Sequence, residues 1–585
     1  MQFFKNVLST FVGILLFTVV AFFLLIASLI GIAAASDDKV VIKQNTVLKL
    51  DLNKNIAENA PEDALNNIFD QGNAVLGLVQ IKQAIADAKT DGNIKGIFLQ
   101  AEYPMAGWAS LKEIRDDLIS FKKSGKFIYA YGEVYSEKGY YLASMADKIF
   151  LNPAGGMEFN GLGTQYTFLK GALDKLGVEP LIFKVGTYKS APEQFTRKDM
   201  SEASRQQSKE LLQNINDFVF DEIAQSRNLT RIQLNQWADS LMVEDSQKAL
   251  KNKLITHLAY FDEFESEVKT ALKIDKEKTI DYVGVSKYLK TESRNDKSSD
   301  NIIAVIVGDG DIVSGNGGEG SIGSDKISEL LTKARNNKKV KAVVLRINSP
   351  GGSSLASDIM WREIQLTKKV KPVIASMSDY AASGGYYMAM GADSIVAQPT
   401  TITGSIGIFA ILFNSEKLMS EKLGITFDGV GTNTYANFPS LTHGMSDFEK
   451  TKIQLGVNRG YETFTAKAAT GRRMKIEDLK NVASGRVWSG IEAKKNGLID
   501  RFGGLNDAIK MAAKTAKIKG DDYEIAYWPK PKNFLESIFD KANTEVSMRM
   551  LQSQYGAFLP YVQQLKQLQK YEGMQMRMPF EMEIK

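Results

Sequence analysis

Apolar and polar positions along the chain follow two alternating periods. Ile302–Val307, Val343–Ile347 and Val373–Ala375 are short apolar runs rich in β-branched residues, the pattern of strands buried on both faces. Between them, Lys326–Ala334 and Ala356–Lys368 return apolar residues at three- and four-residue intervals, which predicts helices. Such alternation predicts an α/β fold with a largely parallel sheet and right-handed crossovers. Longer amphipathic helices are predicted over Glu202–Ser226 and Asp447–Thr470. Phe11–Ala35 stands apart. It is apolar and uncharged throughout, and longer than the roughly 20 residues that a helix needs to cross a bilayer. After the last βα unit, Phe534–Tyr571 predicts an amphipathic helix. The methionine-rich end beyond it (Met574, Met576, Met578, Met582) reads as flexibly packed or disordered rather than as an interaction surface.

The pattern occurs twice. Ile94–Leu99 resembles Val340–Leu345, and the same offset pairs Pro104 with Pro350, Gly139-Tyr140-Tyr141 with Gly385-Tyr386-Tyr387, and Pro153 with Pro399. The offset shortens by one residue where Val185-Gly186-Thr187 matches Val430-Gly431-Thr432, and by one more where Ala249 matches Ala493. Self-similarity at a fixed spacing marks a duplicated unit. The expected organisation is a cytoplasmic stub and transmembrane anchor over 1–36, a first repeat over 46–289, a polar linker over 290–300, a second repeat over 301–525, and a helical tail over 529–585.

Composition narrows the chemistry. Lys and Arg number 73 against 68 Asp and Glu, a balance that argues against a dedicated nucleic-acid surface. There is no cysteine, hence no thiol nucleophile and no disulfide framework. His257 and His443 are the only histidines, which leaves little room for a metal site or a Ser-His-Asp triad. Lys5 precedes the apolar span while Asp37 and Asp38 follow it, so the positive-inside bias puts the bulk of the chain outside the cytoplasm. Ala33–Ala35 resembles a cleavage site, but a cleaved signal has an apolar core of only about 7–15 residues, and a retained anchor is expected.

The two repeats differ where chemistry could reside. Thr403–Phe409 reads TGSIGIF and presents Ser405 between glycines, whereas the matching stretch of the first repeat, Gly155–Gly161, has no serine. Lys189 of the first repeat aligns with Thr434 of the second, and Gly351-Gly352 after a predicted strand has no counterpart in the first. A serine hydroxyl needs an adjacent base to attack a carbonyl. A lysine can be that base when desolvation keeps its amine neutral, and Lys189 lies beside Tyr188, Ala191 and Pro192. Backbone N–H groups of Gly351 and Gly352, unobstructed by side chains, suit a developing oxyanion. Ser349, Ser353 and Ser383 read as turn or helix-cap residues. His443 with Asp447 behind it is the weaker alternative base for Ser405.

Arg346–Ser353 (RINSPGGS), Ser383–Asp393 (SGGYYMAMGAD), Thr403–Phe409 and Tyr188–Ser201 (YKSAPEQFTRKDMS) resemble the long, tandem form of the signal peptide peptidase A (protease IV) family, over nearly the whole chain to about residue 525. The resemblance implies two tandem crotonase/caseinolytic-protease-like repeats. It also implies a serine/lysine endopeptidase of the cell envelope that degrades signal peptides in the membrane without metal or cofactor. Ser405 falls on the family's nucleophile, Lys189 on its general base, and Gly352, with Gly351 beside it, on its oxyanion glycine. The resemblance further implies a homo-oligomeric ring or bowl, here expected as a tetramer, anchored once in the inner membrane with its bulk periplasmic. Where some members carry a serine that holds the lysine amine, this chain has Gly431; Thr432 or Thr434 is expected to substitute. A catalytically decayed scaffold, or a crotonase-type acyl-CoA enzyme of the same fold, is the alternative reading.

Overall fold

Two sheets with the same strand order make the two repeats of the chain. This computed structural model describes residues 2–35, 41–60, 75–243, 245–291, 299–318, 320–440, 442–530, 573–578 and 584. The first repeat contains β1 (Thr46–Asp51), β2 (Ile94–Gln100), β3 (Phe127–Tyr135), β4 (Lys148–Met157) and β5 (Glu179–Val185). The second contains β6 (Ile302–Asp309), β7 (Val340–Ser349), β8 (Gly351–Ser353), β9 (Val373–Ala382), β10 (Ser394–Ala397) and β11 (Ile408–Asn414). In the first sheet the order β4-β3-β2-β1 is flanked by His257–Leu258 and Tyr282–Gly284, all parallel. In the second, β10-β9-β7-β6 is flanked in the same way by Arg501–Phe502 and Glu524–Trp528, again all parallel, and the sheet gains two further strands, Ile402–Gly404 parallel to β9 and Val487–Ser489 antiparallel to Ile402–Gly404. The duplication read from the sequence is thus also a duplication of topology.

The apolar runs are continuous because both faces of the sheet are covered. Along β6, Ile303 and Val305 pack with Leu505 and Ile509 of the helix Leu505–Thr515. Ala304 and Ile306 point the other way, into the cluster that holds Ile327, Leu331 and Met360. Burying each such aliphatic side chain contributes roughly 1.5–3 kcal/mol. The predicted helices occur as Ser324–Asn336, Ser354–Lys368, Glu202–Arg227 and Asp447–Arg472.

A third sheet joins the repeats. It runs Ser321–Gly323, Asp311–Val313, β8, then β12 (Met574–Arg577) from the tail, then β11 and β5. The methionine-rich end expected to be flexible is therefore a strand at Met574–Arg577; the reason is that β8 and β11 each present it an edge. The helix expected at Phe534–Tyr571 and linker residues 292–298 lie outside the described residues. Gln2–Ala35 is one helix of 34 residues, the side chains of much of its second half also lying outside that description. Among the residues whose side chains are described, which leave out much of Phe11–Ala35, no helix is long and apolar enough to cross a membrane.

Buried charge also ties the repeats together. Arg346 on β7, with no exposed surface, holds Glu58 (Nε–Oε2 2.7 Å) and Glu113 (Nη1–Oε1 2.7 Å) of the first repeat. Lys82 reaches the other oxygen of Glu113 at 3.1 Å, and that oxygen also accepts the Leu505 N–H at 3.0 Å. Asp379 at the end of β9 accepts the N–H groups of Ala109 and Ser110, both at 2.9 Å, and so caps the helix Trp108–Lys122 across the same interface. Burial pushes the Glu113 carboxyl up, but the Arg346 and Lys82 charges outweigh it and hold the carboxyl at about 2. Its folded value is below its ordinary 4.5, so its contribution to stability is full above that value and is lost as pH falls toward about 2. Arg346→Met takes the guanidinium from two buried carboxylates, leaving Glu113 to Lys82 alone, and should cost about 3–5 kcal/mol in urea unfolding at neutral pH; an unchanged midpoint would rule out a structural role for the cluster.

Candidate active site

Antiparallel pairing of β5 with β11 sets Val185 opposite Ile408 and Glu179 opposite Asn414. The chain leaving β5 must then turn beside the chain entering β11. Lys189 lies just past the end of β5 and Ser405 just before the start of β11, so this pairing brings them together. Lys189 Nζ sits 2.9 Å from Ser405 Oγ, 3.0 Å from the Ser405 carbonyl oxygen and 2.8 Å from Ser383 Oγ. All three residues are fully buried within one chain.

The backbone around the serine is unusual. Ser405 has φ +51° and follows Gly404 at φ +79°, a left-handed conformation that non-glycine residues adopt only when neighbours enforce it. The loop Ser484–Arg486 is that neighbour. The Arg486 carbonyl accepts the Ser405 N–H at 2.7 Å, Gly485 N–H donates to the Ile406 carbonyl at 2.8 Å, and the Ser484 carbonyl accepts the Tyr188 N–H at 3.0 Å. The loop thereby stitches the lysine turn to the serine turn. A Cβ at Gly485, itself at φ +77°, would stand 2.7 Å from Lys189 Cβ, and one at Gly407 would stand 3.2 Å from Lys189 Cδ. Both glycines make room for the lysine stem. From below, Gln207 donates to the Tyr188 carbonyl and to Ser190 Oγ, each at 3.1 Å, and Arg486 pairs with Glu210.

Burial alone drives the Lys189 amine well below the ordinary lysine range, and among the described residues no carboxylate pairs with it. A neutral amine has two N–H groups and one lone pair. The Ser405 carbonyl can only accept and takes one N–H; the other N–H and the lone pair are shared between the two hydroxyls. With the N–H on Ser383 Oγ, the lone pair faces the Ser405 proton.

Ser383 is the residue that the sequence reading missed. It stands at the N-terminus of Gly384–Ala389, but its side chain makes no cap bond; at φ +55° and ψ −107° it is turned toward the amine instead. Thr432 and Thr434, expected to hold Lys189, are exposed and do not reach it. The physical reason is that β5 delivers the lysine to the end of β9, whereas both threonines lie beyond Leu418–Lys422 on the surface. His443 is exposed and faces the Gly444 carbonyl at 3.2 Å, not Ser405. Ser353 and Ser349 act locally, accepting from the Ala356 and Gly351 N–H groups at 3.3 and 3.1 Å. The Gly351 N–H is thus engaged, while Gly352 lies on β8 opposite Met576 of the tail.

The first repeat shows what replaced a second site. At the repeat offset, Ser383 corresponds to Glu137 and Ser405 to Phe159. Phe159 is buried and stacks on Phe220, centroids 5.1 Å apart. Glu137 accepts the Gly161 N–H at 3.1 Å, and burial raises its carboxyl to about 7. The repeat also held a signal for the loop: Ser240-Leu241-Met242-Val243 matches Ser484-Gly485-Arg486-Val487, so a leucine stands where the second repeat needs a glycine against Lys189.

Residues 120–275 and 365–519 match the model of peptidase family S49, once in each repeat. The chain is 36% identical over 484 residues to the chloroplastic serine protease SPPA of Arabidopsis thaliana, covering 82% of this chain and 70% of that one. It is 36% identical over 495 residues to Protease 4 of Salmonella typhi, covering 83% of this chain and 78% of that one. Among solved structures, the 1510-N membrane-bound stomatin-specific protease with a substrate peptide is similar at a TM-score of 0.27 and 16% identity, covering 41% of this chain and 97% of that one. With both repeats matched and relatives this near along most of its length, the chain belongs to peptidase family S49 and is a serine peptidase.

Proposed function

We propose that this peptidase is a membrane-anchored endopeptidase that cuts apolar peptides, cleaved signal peptides foremost, with Ser405 as nucleophile and Lys189 as general base. One observation carries the reading: a buried amine with no counter-charge among the described residues, 2.9 Å from a serine hydroxyl on a constrained turn, inside the about 2.6–3.2 Å reach of proton transfer. Lys189 takes the Ser405 proton as Oγ bonds to the peptide carbonyl carbon. The oxyanion forms against backbone N–H groups, with that of Gly352 as the favoured donor. The protonated amine then gives its proton to the leaving nitrogen, and water, deprotonated by Lys189, releases the acyl group. Ser383 positions the amine.

Several features support the setting. The uncharged Phe11–Ala35 span within one long helix, with Lys5 before it and two aspartates after it, suits a single-pass inner-membrane anchor with the bulk of the chain periplasmic. Anchoring would keep the enzyme among apolar substrates. Leu423, Ile425, Phe427 and Val430 are exposed within one surface segment, and contiguous exposed apolar surface suits contact between subunits, in keeping with a homo-oligomer such as a tetramer. The intact Ser-Lys-Ser cluster speaks against a decayed scaffold.

Ser405→Ala and Lys189→Met should each lower kcat/KM on a peptide ester by about 10⁴-fold or more; parent-like rates in both would sink the dyad. Because the base works when neutral and burial lowers its pKa, kcat/KM should rise with pH and level off below 10.5. The folded-state pKa lies below the unfolded one, so this lysine costs stability at neutral pH, and the cost shrinks as pH rises. Lys189→Met should therefore melt later than the parent, by about 1 kcal/mol at pH 7. Ser383→Ala removes an acceptor that favours the charged amine; kcat should fall and the rising pH limb should move to lower pH. A fall in kcat with an unmoved limb would make Ser383 merely structural.

A further inference from the structure

The third sheet has a slot, and the slot is filled. β8 is paired on its outer edge by Asp311–Val313, and β11 on its outer edge by β5. Their inner edges face each other across the width of a single strand, which β12 occupies antiparallel to both: Gly352 opposite Met576, Gly351 opposite Arg577, Phe409 opposite Gln575 and Ala410 opposite Met574. These two edges belong to the active site. One carries Gly351-Gly352, and the other begins just past Ser405.

The occupant is seated deeply. Gln575, Met576, Arg577 and Met578 are all buried. Met576 packs into the core of the second repeat, and Met578 against the cluster that holds Ala382, Ile402 and Val487. Arg577 Nη2 pairs with Asp311 Oδ1 at 2.8 Å, and Met578 N–H donates to the Pro350 carbonyl at 2.7 Å. A Cβ built on Gly351 would stand 2.0 Å from the Met576 carbonyl oxygen and 2.9 Å from the Gly384 nitrogen, so Gly351 is closely enclosed by the tail backbone and the residue next to Ser383. With the tail in place, Ser405 and Lys189 have no exposed surface.

A strand added to two facing edges draws its affinity from main-chain ladders that any extended peptide can form, with side-chain pockets selecting among peptides. A substrate strand and β12 would need the same edges and exclude each other. We propose that Met574–Arg577 is a tethered occupant of the substrate cleft, which holds the site closed until an extended apolar peptide displaces it. The proposal rests on the peptidase reading of Ser405. Covalent tethering gives such an occupant an effective concentration on the order of millimolar, so weak peptides are excluded and only those that fill the Met576 and Met578 pockets well gain entry.

The test uses the full chain. Arg577→Glu sets a second carboxylate against Asp311, and Gln575→Pro removes a strand N–H. In both variants KM for a peptide ester should fall about 10-fold with kcat within about 2-fold of the parent. A synthetic peptide of residues 573–585 should restore the parent KM competitively in Arg577→Glu. Amide hydrogen exchange at 574–577 should be slow in the parent and fast in Arg577→Glu, a readout that needs neither turnover nor a variant of full stability. Unchanged KM in both variants with no competition by the peptide overturns the proposal, as does fast exchange at 574–577 in the parent. Absence of hydrolysis by parent and variants alike would instead overturn the peptidase reading, and the exchange rates would still decide whether the cleft is occupied.

Discussion

Everything at the active site hangs on one antiparallel pairing, between β5 of the first repeat and β11 of the second. Neither repeat can assemble the site alone, because each lacks a chemical group that the other holds. The pairing is a ladder of backbone bonds in fixed register, and a one-residue slip would reverse the facing of every side chain along it. Register therefore does the work of positioning. Once Val185 stands opposite Ile408, the Lys189 turn has nowhere to lie but against the Ser405 turn. The Ser484–Arg486 loop then clamps both turns, and the Arg346–Glu58–Glu113 cluster keeps the parent sheets from shifting underneath.

A lysine with no exposed surface and, among the described residues, no carboxylate partner is a costly thing to fold around. Desolvation makes the charged form expensive and lowers the pKa of the amine, and the protein satisfies the amine with hydroxyls and a carbonyl. The contrast with Arg346 is instructive. That guanidinium is as deeply buried, but it cannot discharge, and it is met by two carboxylates. One buried cation is given counter-charges and serves structure. The other is denied them, and that denial is what lowers its pKa, as the proposed role of base requires.

The sequence showed the halves of the site better than their joining. Ser405 and Lys189 were legible because duplication supplied an internal control: each residue is present in one repeat and missing from its twin. The strands were legible because parallel sheets covered on both faces leave unbroken apolar runs, as β6 does. Ser383 was not, because a serine before Gly-Gly at the start of a helix looks the same whether its hydroxyl caps that helix or turns at φ +55° toward a distant amine. The expectation placed on Thr432 and Thr434 failed for a related reason. It took the resemblance's lysine-holding serine to fall at Gly431 and looked for its substitute among sequence neighbours, whereas that segment lies on the surface and the hydroxyl that meets the amine comes from Ser383 at the end of β9.

The methionine-rich tail escaped sequence reading for a different physical reason. A strand that completes someone else's edges needs no amphipathic period of its own, since its ladder comes from the backbone and its pockets were built by residues over a hundred positions away. Composition at Met574–Arg577 suggests adaptable packing, and the structure gives that adaptability a place. Two facing strand edges beside Ser405 are an open invitation to pair, which a peptidase must keep and a folded protein must guard. Filling them with a segment of the same chain meets both needs at once, provided that the segment can leave. Unbranched methionine side chains fill apolar pockets without the rigid fit of β-branched ones, so a seat made of them holds the edges covered and still yields to a peptide that fits better.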